Sequence, residues 1–494
     1  MEFLNDMPSS QTRHNPPVSG PIPWTTADIL AATGGELLCG DRQQVFAGIS
    51  IDSRSIAPGC LFVAIRGQVH DGHRFIPDVA AAGVRGMIVD GSKVESLNLE
   101  DLKRLGSAVL AVKETTRALG DLAGYNRRRA GVSVVAVTGS NGKTSTKEMI
   151  AAVLSRRYRT LSTSGNLNNE IGMPLTLLRL EPRHQWAVLE LGMNHPGEIR
   201  RLAEICQPDV GVITNIGRAH LEGLGSVDGV MRAKGELLEK IKPDGTAVLN
   251  ADDPKALELA RKTGLAVTFF GFSDHAAVRA AAVAGTPETV RFRLLLPAEA
   301  IDVTLAATGR FMVPNALAAA AVGLILGLPA AEIKAGLENF KTVGGRMNII
   351  QTRKKVVIVD DTYNANPASM QAAIAALCEL KGSGRGILVL GDMLELGDEA
   401  EALHREIGAF AAGTCADRLY LTGNHAEAVR SGAGAGGIDA GDIFCGTHVG
   451  ILAELTGRLA AGDWVLVKGS RGMQMEKIVA GLKAWADGEG GKTY

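Results

Sequence analysis

Between Val134 and Leu154 the chain reads VVAVTGSNGKTSTKEMIAAVL, an apolar β-type run entering a glycine turn that closes on Gly142-Lys143-Thr144 and leaves as a helix. These residue types suit the phosphates of a nucleotide. Gly139 and Gly142 let backbone N–H groups approach phosphate oxygens, the helix offers its positive N-terminal end, Lys143 supplies a point charge and Thr144 can ligate Mg²⁺. The whole turn, Thr138, Gly139, Ser140, Asn141, Gly142, Lys143, Thr144 and Ser145, is therefore a candidate phosphate cradle, and the chemistry expected of it is ATP-driven. A standard P-loop carries a glycine five positions before Gly142, where this chain has Val137, so the match is to a shortened form. The competing reading is an ordinary turn before a helix.

Other polar groups fall near that loop in the same pattern of strand followed by charge. Glu190 sits in LELGMNHPGEI, His220 in TNIGRAHLEGLGS and Lys234 in MRAKGELLEK. Mg²⁺ prefers oxygen ligands and keeps several waters, so Thr144 and Glu190 make a first metal site beside the phosphates, with His220 available to a second. Taken singly, each has a bland reading: a solvated Glu, a structural His, an exposed helix Lys. Towards the C-terminus, Asp360-Asp361 precede TYNANP, Gly391-Asp392 precede MLELG, and Lys468-Gly469-Ser470-Arg471 follow DWVLV. Asp, Asn, Gly and Pro favour turns anywhere, but repeated charge at the ends of apolar runs suggests one end of a sheet.

The elements that would position these groups read as α/β throughout. From Trp24 to about Val112, LFVAI, GMIVD and AVLAV alternate with polar turns and a helix near Phe75 to Gly83, giving a small α/β domain. A helix from Thr115 to Arg129 leads into the P-loop strand. WAVLELG, VGVITNI and TAVLN then alternate with helices, which predicts a largely parallel sheet with ligands at its carboxyl ends, where Asn215 also falls. From Met347 a second series, KVVIVDD, GILVLGD, RLYLTG and DWVLVKG, predicts a Rossmann-like doubly wound unit. The expected domains are residues 24–112, 113–346 and 347–494, after a disordered arm over residues 1–23. SGAGAGGIDAGD from Ser431 reads as a surface loop.

At 494 residues the chain is long enough for about three domains. A net charge of −1, from 52 basic and 53 acidic residues, argues against a surface built for nucleic acid or anionic lipid. Six scattered cysteines without a CxxC pair suggest neither zinc nor a disulfide framework, and free thiols in a reducing cytosol are the expectation. No signal-peptide core is evident. The uncharged window from Phe311 to Ala331 carries Pro314, Gly323, Gly327 and Pro329 and reads as a buried helix rather than a membrane span.

The ensemble is more specific than any single motif. TGSNGKTSTK, GNLNNEIGMPLTLL, LELGMNHPGEI, TNIGRAHLEGLGS, AKGEL, NADDP, GGRMN, DDTYNANPASM, LGDMLELG and KGSRGMQME follow one another in an order that resembles the Mur ligase family. IDSRSIAPGCLFVAIRG and HDGHRFI extend the resemblance over roughly residues 45 to 480. Within the family, DDTYNANPASM and LGDMLELG are similar to the branch that adds D-alanyl-D-alanine to UDP-N-acetylmuramoyl-tripeptide.

That resemblance implies a two-step ligation in which a substrate carboxylate takes the γ-phosphoryl of ATP and the resulting acyl phosphate is displaced by an amine. It implies two Mg²⁺ sites, with Lys143 on the β- and γ-phosphates, Thr144 and Glu190 on one metal, and His220 on the second. Lys234 matches a lysine carbamylated by CO₂ and so made a metal-region ligand. Arg346 matches an arginine reaching the γ-phosphate, and Asp361, Tyr363 and Asn364 match a nucleotide-contacting turn. Ser53, Arg54, Asp71 and His73 fall where the uridine nucleotide is held, Asn168 and Asn169 where the central domain meets substrate. Lys468, Ser470 and Arg471 would face the peptide or the dipeptide carboxylate, with Arg471 better suited to bidentate pairing. A cytoplasmic monomer acting on soluble small molecules is expected.

The chain departs from the family at one place. Where GRHNVxNALAA is usual it reads GRFMVPNALAA, keeping Asn315, a nucleotide-site residue, but placing Phe311 and Met312 at the His and the first Asn. Phe311 could stack on adenine instead. The rival readings are another ligase of the family, a folate ligase, which is not expected to carry the DSR and DGHRF segments, and an inactive ATP-binding regulatory relative.

Overall fold

The computed structural model describes residues 20–67 and 70–488, so the arm expected over residues 1–23 lies outside it but for its end. The chain divides into two compact units. One ends at Val132 and takes in Leu178–Gln185, and the other comprises Ser133–Leu177 and the chain from Trp186 onward.

In the first unit the strands Leu61–Val63, Gly86–Asp90 and Ala108–Val112 pair in parallel, as the buried β-type runs predict, with Ile49–Ser50 beside the first and Glu36–Cys39 antiparallel to the last. The helix expected near Phe75 is a 3₁₀ turn, Gly72–Phe75, continued by Ile76–Ala81. Helix Thr115–Ala130 is capped by Glu114 at its start and by Gly131 (φ 64°) at its end.

The second unit holds two sheets. The larger has nine strands, and around the P-loop strand Ser133–Thr138 lie Trp186–Glu190 on one side and Val210–Ile213 on the other, all parallel. Parallel pairing continues through Thr246–Asn250 and Ala266–Gly271 to Val278–Gly285. The sheet then closes with an antiparallel meander, Val290–Leu295 and Ala300–Leu305, whose alternation of buried and exposed residues marks one solvated face. Helices Lys143–Leu154 and Met312–Ile325 cover this sheet in a common apolar cluster. The latter lies in the uncharged window read as buried, and no described helix is long and apolar enough to cross a membrane. The six-stranded sheet places Trp464–Lys468 between Val357–Asp361 and Gly386–Leu390, parallel to both.

Two expectations are corrected here. Ser431 to Ala435 is not loop but the end of helix Ala426–Ala435. Its small residues let it meet helix Ala400–Ala412 backbone to backbone: a Cβ on Gly408 would lie 2.0 Å from the Val429 carbonyl oxygen, and one on Gly432 2.0 Å from that of Arg405. Nor are all six cysteines free. Cys378, near the end of helix Pro367–Leu380, is disulfide-bonded to Cys415, just before strand Ala416–Leu421, because the fold brings these element ends together. Cys39, Cys60, Cys206 and Cys445 are free thiols. Thiol titration of the unreduced, denatured chain is therefore expected to find four thiols, and six after reduction. Six before reduction would remove the bridge.

Candidate active site

The P-loop leaves its strand through glycines that close contacts require. A Cβ on Gly139 would lie 1.8 Å from the Thr214 hydroxyl oxygen, and one on Gly142 (φ 78°) 2.2 Å from Asn315 Oδ1. Helix Lys143–Leu154 then starts with no side-chain cap, which leaves the N–H groups of its first turn and its positive end to an anion. The loop itself is braced. Ser140 N–H donates to the Asn215 carbonyl (2.9 Å), Asn141 N–H to Asn215 Oδ1 (2.9 Å), and the Ser140 hydroxyl to the Gly217 carbonyl (3.1 Å). Thr138 donates to the Leu191 carbonyl (3.0 Å), and Ser145 is buried. From the six-stranded sheet's side, Asn366 Nδ2 donates to Asn141 Oδ1 (2.9 Å).

Cations surround this cradle. Lys143 Nζ donates to the Gly139 carbonyl (2.8 Å); burial lowers its pKa against the pull of Glu190, and Arg346 lowers it further. Arg346 donates to the Thr144 hydroxyl (2.9 Å) and lies over the Tyr363 ring at 4.1 Å, so Tyr363 supports the guanidinium rather than standing apart. Its Nε is buried without a hydrogen-bond partner. Lys234, on helix Val227–Gly235, is 1% exposed. Burial, then the charge of Lys143, push its pKa well below the ordinary lysine value.

Glu190 ends the neighbouring strand with 2% exposure, its N–H donating to Thr163 Oγ1 (3.1 Å) and its Oε1 accepting from Asn168 Nδ2 (2.8 Å). Oε2 is buried with no partner. A buried carboxylate oxygen left unpaired is costly, and with the Thr144 hydroxyl it is the kind of hard donor Mg²⁺ takes. No group of three or more His, Cys, Asp or Glu among the described residues could hold a metal alone. The residues present thus fit an ion that draws its remaining ligands from phosphate and water. His220 Nδ1 lies 2.6 Å from Glu395 Oε2. Burial lowers the pKa of His220, and the hydrogen bond with His220 lowers that of Glu395, so a neutral ring donating to an ionised carboxylate satisfies both.

The residues expected from the last sheet divide. Asp361 and Lys468 are register partners on adjacent strands; Lys468 Nζ donates to Asp361 Oδ2 (2.5 Å) and to the Asn364 carbonyl (2.9 Å), and Asp361 Oδ1 accepts from Met347 N–H. Lys468 is 2% exposed, and its charge organises the turn carrying Tyr363 and Asn364. Ser470 is likewise buried, donating to the Ala365 carbonyl and accepting from Leu394 N–H. Arg471, paired loosely with Glu476 at 3.3 Å, is the exposed one. Lys468→Ala is expected to cost about 3–5 kcal/mol by stranding Asp361, read as a fall in urea midpoint. Unchanged stability with weaker dipeptide binding would return the ammonium to substrate.

Other expected residues are locally engaged. Asn169 Oδ1 accepts from Ile171 and Gly172 N–H at the start of helix Gly172–Leu177. Asn315 accepts from Thr146 and donates to the Met312 sulfur, so Met312 partners the retained Asn, while the Phe311 ring folds over Gly309. In the first unit, Arg54 pairs with Asp52 and is exposed beside Ser53. Asp71 binds His73 Nδ1 (2.6 Å), and His73 Nε2 accepts from Asp90 N–H (2.9 Å), so both ring nitrogens are engaged locally. Sequence reasoning missed Glu395, Asn366 and Glu236. Glu236 accepts from Gly197 and Arg200 N–H, capping helix Glu198–Cys206. Their only signal was polar residues inside motifs already noted.

Comparison with known proteins gives consistent matches. Models for the Mur ligase family catalytic domain, the Mur ligase middle domain and the Mur ligase glutamate ligase domain match residues 45–127, 137–323 and 345–471. The UDP-N-acetylmuramoyl-tripeptide–D-alanyl-D-alanine ligase of Escherichia coli (strain K12) is 40% identical over 465 residues, covering 94% of this chain and 99% of that protein. The ligase of the same name from Bacillus subtilis (strain 168) is 36% identical, covering 89% and 94%. A crystal structure of MurF from Acinetobacter baumannii aligns with a TM-score of 0.85 at 35% identity, covering 94% and 99%. MurF ligase from Thermotoga maritima in complex with ADP aligns at 0.79 and 28% identity, covering 90% and 98%.

Proposed function

The chain belongs to the Mur ligase family, and from that premise we propose that it joins D-alanyl-D-alanine to UDP-N-acetylmuramoyl-tripeptide, converting ATP to ADP and phosphate. The observation that carries this reading is the enclosure of an uncapped P-loop helix by cations from two sides, Lys143 within it and Arg346 bonded to Thr144. Phosphoryl transfer between an anionic nucleotide and an anionic carboxylate needs such charge more than it needs a nucleophile.

In the first step the tripeptide carboxylate attacks the γ-phosphorus, the bond to the β-bridging oxygen breaks, and ADP leaves. Lys143 and the helix N-terminus hold the β- and γ-phosphates, and Arg346 neutralises charge on the γ-phosphoryl. Asp361, Tyr363, Asn364 and Asn315 support the nucleotide, directly or through the turns they order. In the second step the dipeptide amine attacks the acyl phosphate, phosphate leaves and the amine proton is lost to solvent or a base. Arg471 holds the dipeptide carboxylate, Asn168 and Asn169 shape the tripeptide end, and Ser53, Arg54, Asp71 and His73 shape the uridine end. Mg²⁺, when bound, would supply electrostatic stabilisation of the transferring phosphoryl, with Thr144, Glu190 and His220 as the protein groups that fit it.

Lys234 belongs to the same proposal. Its buried amine has no ion-pair partner among the described residues, and by family resemblance it takes up CO₂, releasing a proton and becoming a carbamate. The soluble nucleotide-linked substrate suits a cytoplasmic enzyme.

The test is phosphate release from Mg-ATP with the tripeptide and dipeptide each present, absent, or replaced by free amino acids or folate. Release requiring both, with a pentapeptide product of matching mass, supports the assignment. ATP binding without release under any condition would favour a regulatory relative, and release with a free amino acid would favour another ligase of the family.

A further inference from the structure

We propose that Glu395 is a positioning residue for His220, reaching from the loop after strand Gly386–Leu390 to fix which imidazole nitrogen carries the proton and which way the ring points. The proposal rests on the ligase reading for its kinetic consequence, but its structural basis is independent.

Glu395 Oε2 lies 2.6 Å from His220 Nδ1. An ionised carboxylate can only accept, so Nδ1 must donate and Nε2 keeps its lone pair. An imidazole without such a partner exchanges between tautomers. The contact is built from both sides. Glu222 N–H donates to the Glu395 carbonyl (3.1 Å), and a Cβ on Gly397 would lie 3.2 Å from Glu222 Cα, so the two loops touch along their backbones. His220 (φ 55°) and Glu395 (φ 63°) both occupy the left-handed region, although neither is glycine. Such conformations cost energy and persist where the surroundings fix them, and here each loop fixes the other. Two further polar contacts join the same faces, Asn366 to Asn141 (2.9 Å) and Arg218 to Glu406 (3.3 Å). His220 lies on the nine-stranded sheet's side and Glu395 on the six-stranded sheet's, so the ring is set only when these faces are docked.

The experiment compares Glu395→Ala with Glu395→Gln, whose side-chain carbonyl still accepts from Nδ1–H. Histidine-selective ¹⁵N labelling reads the ring without substrate, the His220 signal being assigned by its loss in His220→Asn. The unsubstituted protein and Glu395→Gln are expected to show the Nδ1–H tautomer, and Glu395→Ala an averaged signal. In ligation assays Glu395→Ala is expected to lose about 10- to 100-fold in kcat while the KM for ATP stays within about threefold, and Glu395→Gln to recover most of the loss. An unchanged His220 signal in Glu395→Ala, or a Glu395→Gln protein as impaired as Glu395→Ala, overturns the proposal. Absence of ligation in the unsubstituted protein would instead overturn the ligase reading, with the tautomer still decided by the spectra.

Discussion

Lys143→Ala is expected to lower kcat for ligation by about 10² to 10³-fold, or roughly 2.7–4 kcal/mol of transition-state stabilisation. The lysine is the point charge of the uncapped loop, and the first step moves a phosphoryl group between two anions. Arg346 reaches the same region for the γ-phosphoryl but is anchored on Thr144 and Tyr363, so it has little freedom to take Lys143's place on the β-phosphate as well. Unfolding would not account for the loss. A lysine whose pKa is depressed in the folded chain binds its proton less tightly than when unfolded. It therefore costs stability below the depressed value, and that cost fades as pH rises towards the ordinary lysine value. Removing it relieves the penalty at neutral pH. Steady-state phosphate release at saturating substrates, with circular dichroism as the folding check, measures the effect. A variant within about tenfold of the unsubstituted protein would mean that Arg346 and the helix N-terminus suffice for phosphoryl transfer.

What could be read from the sequence was local. The glycine turn after a β-type run placed the P-loop, and charge following apolar runs placed Glu190 at the end of its strand, because strand ends in a parallel sheet share one side. The contacts that complete the site join residues far apart in the chain: His220 with Glu395 across 175 positions, Thr144 with Arg346 across 202, Asn141 with Asn366 across 225. No periodicity or spacing encodes such pairs. The same holds for Cys378 and Cys415, 37 residues apart with nothing between them that announces a bridge.

Elsewhere tertiary packing overrode a local preference. Glycine costs a helix about 1 kcal/mol relative to alanine, which is why the segment from Ser431 reads as loop. Gly408 and Gly432 are where two helices touch backbone to backbone, and that contact offsets the propensity. Lys468 shows a partner that its own motif does not announce. A lysine after a strand resembles a substrate clamp, and the structure sets it beside its register partner Asp361, 107 residues away in the chain. Tyr363, expected at the nucleotide, has its observed contact with Arg346, so an effect on nucleotide can pass through the guanidinium.

Lys234→Ala is expected to lose at least about 10²-fold in activity, and a short carboxylic acid such as acetate to restore part of it by occupying the vacated space as an oxygen ligand. Lys234→Met, which fills the space, should be equally inactive, resist rescue and be more stable by about 1–3 kcal/mol, since it removes a buried polar group that has no ion-pair partner among the described residues. The sign follows from the depressed pKa: the folded amine holds its proton less tightly than the unfolded lysine does, so below the ordinary lysine value the buried lysine opposes folding. Activity with and without acetate, together with thermal midpoints, separates the possibilities. A fully active Lys234→Ala protein would sink the carbamate reading. Inactivity without rescue, accompanied by the rise in stability for Lys234→Met, would assign Lys234 a role as a bare amine, because acetate can stand in for a carbamate's oxygens but not for a nitrogen donor.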